Sequence, residues 1–269
     1  MNQMCTSKEY FTLLVYLLLM PQFARFVLKE VAIMFKKFYF LFFFILIIPF
    51  PLFAGELVLE YNFTSDIGNQ VLDTSGNELN GTVQGSGKTH VGAGFSGKGL
   101  RLNGIDNFVL VPDHPLFDFS HYTLMAWAKF KPNEWDREEI MEKAGSFWMN
   151  IRQDTRKVRV GGYFGGCGNQ QYYFKLDSDG AVPIDTWTHL AVTYDGIILR
   201  IYINGILSGK SAVPVPGPVC VNIEPLAVGS KHRIIPPPQS AAYFWGNMDS
   251  IRIFNVAFPA WRIKQQMNK

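Results

Sequence analysis

The sequence predicts an all-β fold, a sandwich or barrel of short antiparallel strands, and three observations carry that prediction. After residue 55 the apolar period is two rather than 3.6. Turn chemistry recurs at short intervals; Asn204-Gly205 is the strongest hairpin signal, because a type I′ turn needs positive φ at both central residues. No long amphipathic helical pattern occurs in the same stretch. Many short strands at such spacing make a sandwich or a barrel.

Ahead of that domain lies a leader. Met34-Phe35-Lys36-Lys37 is a positive start, Phe38 to Ile48 is an apolar run, and Pro49-Phe50-Pro51-Leu52-Phe53-Ala54-Gly55 ends on small residues. That order reads as a signal peptide over 34–54, cleaved after Ala54, with an uncleaved anchor as the other reading. Residues 1–33 hold a second apolar run, Phe11 to Met20, which Pro21 stops after about half a membrane span. A start at Met34 would make 1–33 a mis-assigned extension; a two-helix anchor is the competing reading. The expected location is secreted, periplasmic or cell-surface, and a membrane enters only through the signal segment if it stays uncleaved.

The first strand reads from Leu57, Leu59, Tyr61 and Phe63 alternating with Val58, Glu60 and Asn62. One face of such a strand is apolar and the other polar, as a half-buried antiparallel sheet requires. Further strands read at 100–102, 108–111, 122–130, 147–152, 158–161, 172–176, 188–194 and 226–228. Leu199, Ile201 and Ile203 lead into the Asn204-Gly205 hairpin, and Ile251 and Ile253 mark a last strand. Only 259–266 reads as helical, with proline in its first turn. The proline-rich stretches 213–218 and 236–238 read as ordered surface loops, so 56–269 is one domain, large enough for a proper core.

The formal net charge is +3 and no basic block follows residue 55, which gives no reason to expect nucleic acid. Of three cysteines, Cys5 lies in the leader. Cys167 and Cys220 remain, and two cysteines in an exported chain are expected to pair, two free buried thiols being the other reading.

The order of landmarks then carries a resemblance. Asp73-Thr74-Ser75-Gly76-Asn77 with Asn80-Gly81-Thr82 comes first, followed by Gly97-Lys98-Gly99-Leu100-Arg101-Leu102-Asn103-Gly104, Asp106-Asn107-Phe108-Val109 and Tyr122-Thr123-Leu124-Met125-Ala126-Trp127. Trp187-Thr188-His189-Leu190-Ala191-Val192-Thr193-Tyr194-Asp195-Gly196, Leu199-Arg200-Ile201-Tyr202-Ile203-Asn204-Gly205 and Gly246-Asn247-Met248-Asp249-Ser250-Ile251-Arg252-Ile253-Phe254-Asn255 complete the series. In order and spacing the chain resembles the laminin G-like (LamG-like), concanavalin A-like jelly-roll family over nearly all of 56–269. The resemblance implies a two-sheet antiparallel jelly-roll sandwich, one sheet concave, with the first and last strands adjacent. It implies little about activity, since one fold hosts many functions.

Matched onto this chain, the family's structural Ca²⁺ would take the carboxylates of Asp73 and Asp249 and oxygens from Asn77 and Asn80. A hard cation needs about six to eight oxygens. The competing reading makes Asp73 an Asx-turn and Asp249 a strand-end cap. For a carbohydrate ligand, the stretch around Trp148, Tyr163, Asn169, Gln171 and Tyr172 supplies aromatic faces and amides where the concave face and its rim are expected. The competing role is core packing. Glu134-Trp135-Asp136-Arg137-Glu138 has the acid spacing of laminarinase-type glycosidases, whose paired carboxylates do the chemistry. Arg137 between the acids and the preceding Lys131-Pro132-Asn133 favour a charged loop instead. His189 matches a strand position and is expected to be a packed, hydrogen-bonded core residue, so no catalytic residue is assigned. The expected function is a non-catalytic module that binds a glycan or a glycoprotein surface and is stabilised by calcium. A protein-binding adhesion module and a glycoside hydrolase are the alternatives.

Overall fold

A computed structural model describes residues 57–86, 92–234 and 239–269. The leader readings over 1–54, Cys5 and the 236–238 loop lie outside the described residues. No helix among the described residues is long and apolar enough to cross a membrane.

The strands in chain order are β1 (Leu57–Tyr61), β2 (Gln70–Val71), β3 (Gly81–Gln84), β4 (Gly92–Ala93), β5 (Lys98–Asn103) and β6 (Phe108–Val111). Next come β7 (Tyr122–Phe130), β8 (Arg137–Lys143), β9 (Phe147–Arg152), β10 (Lys157–Tyr163), β11 (Tyr173–Ala181) and β12 (Thr188–Tyr194). The last are β13 (Ile198–Ile203), β14 (Ile206–Ala212), β15 (Leu226–Val228), β16 (Lys231–Arg233), β17 (Gln239–Ala241) and β18 (Trp245–Phe254), and helix α1 (Ala260–Met267) closes the chain.

Two eight-stranded antiparallel sheets stack. The first runs β14-β13-β12-β7-β18-β5-β4, with β1 also on β18; the second runs β11-β10-β9-β8-β15-β6-β3-β2. The ten-residue β18 changes partner along its length, pairing β5 from Trp245 to Met248 and β1 from Ile251 to Phe254. First and last strands are therefore neighbours, as expected. Asn204 and Gly205 have φ of 50° and 72°, the left-handed pair a type I′ hairpin demands between β13 and β14.

Alternation builds the core between the sheets. Leu124, Ala126 and Ala128 of β7 and Leu190, Val192 and Tyr194 of β12 meet Phe147, Met149 and Ile151 of β9 and Val158 and Val160 of β10. Burying each larger apolar side chain contributes about 1.5–3 kcal/mol. β7 is buried on both faces because α1 covers its outer side, where Met125, Ala191, Tyr202 and Phe254 pack against Phe258 and Ile263. Pro259 is the N-cap of α1, which begins and ends one residue later than the helix the sequence suggested.

Cys167 and Cys220 are joined, closing a loop of 53 positions and tying the segment after β10 to the segment before β15. A one-turn 3-10 helix, Gln170–Tyr172, delays the start of β11 relative to the strand read at 172–176. Sequence patterning missed the short β2, β3, β4, β16 and β17 and, more consequentially, β8. Arg137-Glu138-Glu139-Ile140-Met141-Glu142-Lys143 is mostly charged, a composition depleted in strands, yet six of its seven residues are buried in the middle of the second sheet.

Candidate functional site in the second sheet

The outer face of the second sheet forms a cleft of about 910 Å³ crossed by β8, β9, β10 and β11. Along β9, Phe147, Met149 and Ile151 enter the core while Trp148, Asn150 and Arg152 face the cleft. β10 adds Arg159 and Tyr163, and β11 adds Tyr173 and Lys175. Cross-strand register places Trp148 opposite Glu142, Asn150 between Glu139 and Arg159, and Tyr163 opposite Tyr173, whose rings lie 5.4 Å apart. Gly161 makes room for the indole: a Cβ there would stand 2.5 Å from Trp148 Cζ2 and 2.4 Å from the Phe174 carbonyl oxygen.

Glu139 and Glu142 both line this floor although they are three residues apart. In a regular strand that spacing puts them on opposite faces. The register between β8 and β9 shifts between Glu139 and Met141, leaving Ile140 as the extra residue of a bulge. Ile140 and Met141 both enter the core, and Glu142 returns to the cleft.

Burial governs the chemistry of the floor. It raises Glu139 well above the usual carboxylate range, the charge of Glu142 adds to the rise, and Arg137 opposes it. Glu142 is raised to about 7 by burial and by Glu224, with Lys231 and Arg137 opposing. Arg137 bridges Asp136 at 2.9 Å and Glu139 at 3.4 Å. Asn150 donates its amide to both oxygens of Glu139 at 3.3 Å. Beneath the floor Lys143 is fully buried, its ammonium donating to Asp113 Oδ1 at 2.5 Å, the Asn222 carbonyl at 2.8 Å and the Glu224 carbonyl at 2.6 Å. Three donors meet three acceptors, so this buried charge is fully satisfied and fixes the 222–224 segment at the cleft wall.

Of the residues the sequence offered for a sugar, the structure brings Trp148 and Tyr163 into the cleft. Asn169, Gln171 and Tyr172 are not among its lining residues. Asn169 instead caps the 3-10 turn by accepting from the Gln171 N–H, and the Tyr172 ring packs over Gly166. That turn shifts the phase of the following strand, so Tyr173 rather than Tyr172 faces the cleft.

The residues suggested for calcium are not gathered into a cation site. Asp73 Oδ1 accepts from the backbone N–H of Glu60 and of Ser75, and Oδ2 accepts from the Ser75 hydroxyl and the Leu79 N–H. Asn77 points its amide N–H at the Leu57 and Val58 carbonyls, and Asn80 Oδ1 accepts from the Asp73 N–H. Asp249 serves another loop, accepting from Ser96 N–H and Ser250 N–H. Oxygens that already face hydrogens do not fit a hard cation that needs their lone pairs. Among the described residues, no three acidic, histidine or cysteine side chains cluster so as to hold a metal.

The acidic motif does not converge either. Glu134 and Asp136 lie in the loop before β8, and Asp136 pairs with Arg137. Glu138 turns inward, accepting from Trp245 N–H at 2.9 Å and from the Gln153 amide at 2.5 Å, and burial raises it to about 8. Arg137 and Glu138 lie in strand β8 and not in the charged loop expected from sequence, with Arg137 facing the cleft. His189 is packed as expected, with its ring 5.3 Å from that of Trp127, but the hydrogen-bonding expectation fails for its buried Nδ1, which has no partner among the described residues. Burial lowers its pKa to about 3, keeping the imidazole neutral.

Sequence reasoning missed Glu139, Glu142, Asn150 and Arg159, and it chose Tyr172 over its neighbour Tyr173. Asn150 was available from the β9 alternation that exposed Trp148; the glutamates were hidden by the bulge.

Residues 103–264 match the family model described as Concanavalin A-like lectin/glucanases superfamily. No curated protein sequence matches the chain. Among solved structures, domain 4 of AbnA, a GH43 extracellular arabinanase from Geobacillus stearothermophilus in complex with arabinotriose, is similar with a TM-score of 0.59 and 21% identity. The match covers 78% of this chain and 98% of that one. The binding domain of Paraclostridial Mosquitocidal Protein 1 gives 0.60 and 16%, covering 79% and 52%. The binding domain of Botulinum Neurotoxin DC in complex with SialylT gives 0.56 and 15%, covering 79% and 51%. The match thus spans about half the length of these toxin domains.

Proposed function

The chain belongs to the concanavalin A-like lectin/glucanases superfamily, and from that premise we propose that it is an exported, non-catalytic binding module whose second-sheet cleft takes a carbohydrate. One observation carries the reading: the cleft sets the Trp148 indole beside the buried hydrogen-bonding groups of Glu139, Glu142 and Asn150. A sugar ring has an apolar C–H face and a polar hydroxyl edge, and this arrangement offers a counterpart to each. The arabinotriose bound by the arabinanase domain supports the same reading. A glycan array probed with the full chain tests it. Binding to a subset of oligosaccharides, lost with Trp148→Ala, is expected; an array without signal, or signal indifferent to that change, refutes it.

Glycoside hydrolysis is the second reading, favoured by the pair of buried carboxylates on one floor. Against it, Arg137 and the Asn150 amide hold Glu139 in internal contacts. Turnover of bound oligosaccharides that disappears with Glu142→Gln would replace the binding-module reading with this one.

A further inference from the structure

We propose that Glu142 and Asn150 are the reading floor of this cleft and that they select uncharged sugar rings over acidic glycans by accepting hydroxyl protons. The inference rests on the carbohydrate-binding reading and adds to it the deciding residues and the ligand class.

Two independent observations point to missing donors. Glu142 is 7% exposed and accepts no hydrogen bond from the described residues, Lys231 and Arg137 acting on it through their charge alone. Asn150 is 2% exposed, and its Oδ1 is buried without a partner while its Nδ2 is committed to Glu139. Buried polar groups are nearly always satisfied, so the buried Asn150 Oδ1, beside a Glu142 carboxyl that accepts nothing from the described residues, calls for donors from outside. They are near neighbours, because Glu142 is opposite Trp148 and Asn150 is two residues along the same face of β9. A ring stacked on the indole would turn its hydroxyl edge toward both.

A carboxylate or sulfate brings no proton to such acceptors and would lie against Glu139, Glu142 and Glu224. Of the cations that line the cleft, Arg137 is committed to Asp136 and Glu139, Arg159 to Asp177, Arg152 to Asp154 and Arg233 to Glu224, and Lys231 offsets Glu142, which leaves the exposed Lys175 as the lining cation with no such partner among the described residues. The titratable and charged groups facing Glu142 are Arg137 and Glu139 on its own strand, Glu224 before β15, Lys231 on β16 and Tyr173 on β11. With Glu142 raised to about 7, hydroxyl donors favour its ionised form, and binding expels a proton.

The test is calorimetric titration of the full chain with neutral oligosaccharides and with uronate-containing, sulfated and sialylated ones, at pH 8 and pH 5.5. The expected result is binding of a neutral ligand at pH 8 that weakens by about 10- to 30-fold at pH 5.5. Glu142→Gln should weaken it by about 10- to 100-fold at pH 8 and abolish the pH dependence, with no fall in melting temperature. Preference for an acidic glycan, or unchanged affinity in Glu142→Gln, overturns the proposal and leaves the carbohydrate-binding reading standing. Should the variant not fold, the wild-type profile decides alone: affinity flat between the two pH values overturns it. Binding to no glycan of either kind overturns the carbohydrate-binding reading, and this inference with it.

Discussion

Mild acid should stabilise this domain, and Glu142→Gln should remove much of that response. Burial moves the Glu142 proton affinity from 4.5 to about 7, so between those values the folded chain binds more protons than the unfolded one. Stability then falls as pH rises through that window, and the loss is complete above about pH 7. A displacement of this size corresponds to about 3 kcal/mol at about 1.4 kcal/mol per pH unit. Glu139 is displaced in the same direction, and Glu138, raised to about 8, extends the decline further. Glutamine keeps the size of the side chain and has no proton to lose. The variant should therefore exceed the wild type by up to about 3 kcal/mol at pH 8 and match it near pH 4. Urea unfolding of both proteins at unit steps from pH 4 to pH 8 measures the difference. Parallel pH profiles for the two proteins, or a variant weaker at pH 8, would refute the account of Glu142 as a desolvated, unpaired carboxyl.

Three further outcomes follow from the same geometry. Cys167→Ser with Cys220→Ser opens a loop of 53 positions and should lower stability by about 4 kcal/mol in denaturant titration; an unchanged midpoint would show that the bond constrains nothing. Lys143→Met leaves Asp113 and the Asn222 and Glu224 carbonyls without their buried donor and should cost about 3–5 kcal/mol, a loss below 1 kcal/mol in urea unfolding counting against the buried cage. A chelator should leave the melting temperature unchanged, because Asp73, Asn77, Asn80 and Asp249 are held by internal hydrogen bonds; a fall reversed by added Ca²⁺ would restore the cation reading.

The sandwich was legible because its strands obey period two where one face is core, as in β9 and β13, and because Asn204-Gly205 announces its hairpin, although in β1 a register shift sends both Val58 and Leu59 into the core and Leu57 to the outer side. The order of landmarks supplied the jelly roll, and cysteine count the bond between Cys167 and Cys220. The site was legible only where the same alternation ran undisturbed. Trp148 could be assigned because Phe147 and Met149 flank it, whereas one extra residue at Ile140 breaks the phase between Glu139 and Glu142. Charge compounded the difficulty. A strand made mostly of Arg, Glu and Lys becomes plausible only when a cleft, an ammonium cage and the Arg137–Glu139 contact are there to receive those groups, and these partners come from distant positions. The same holds for Asp73, whose acceptors are used up by Glu60, Ser75 and Leu79 in a way that local spacing does not reveal.

The bond between Cys167 and Cys220 also gathers strands of both sheets into one covalent ring. The segment it spans contains β11 of one sheet and β12, β13 and β14 of the other. The two sulfurs meet in their native setting only once the chain has crossed between the sheets and come back. Both cysteines and Asn222 line the mouth of the cleft. One covalent loop therefore runs from the sheet of the cleft through the other sheet and back to the cleft.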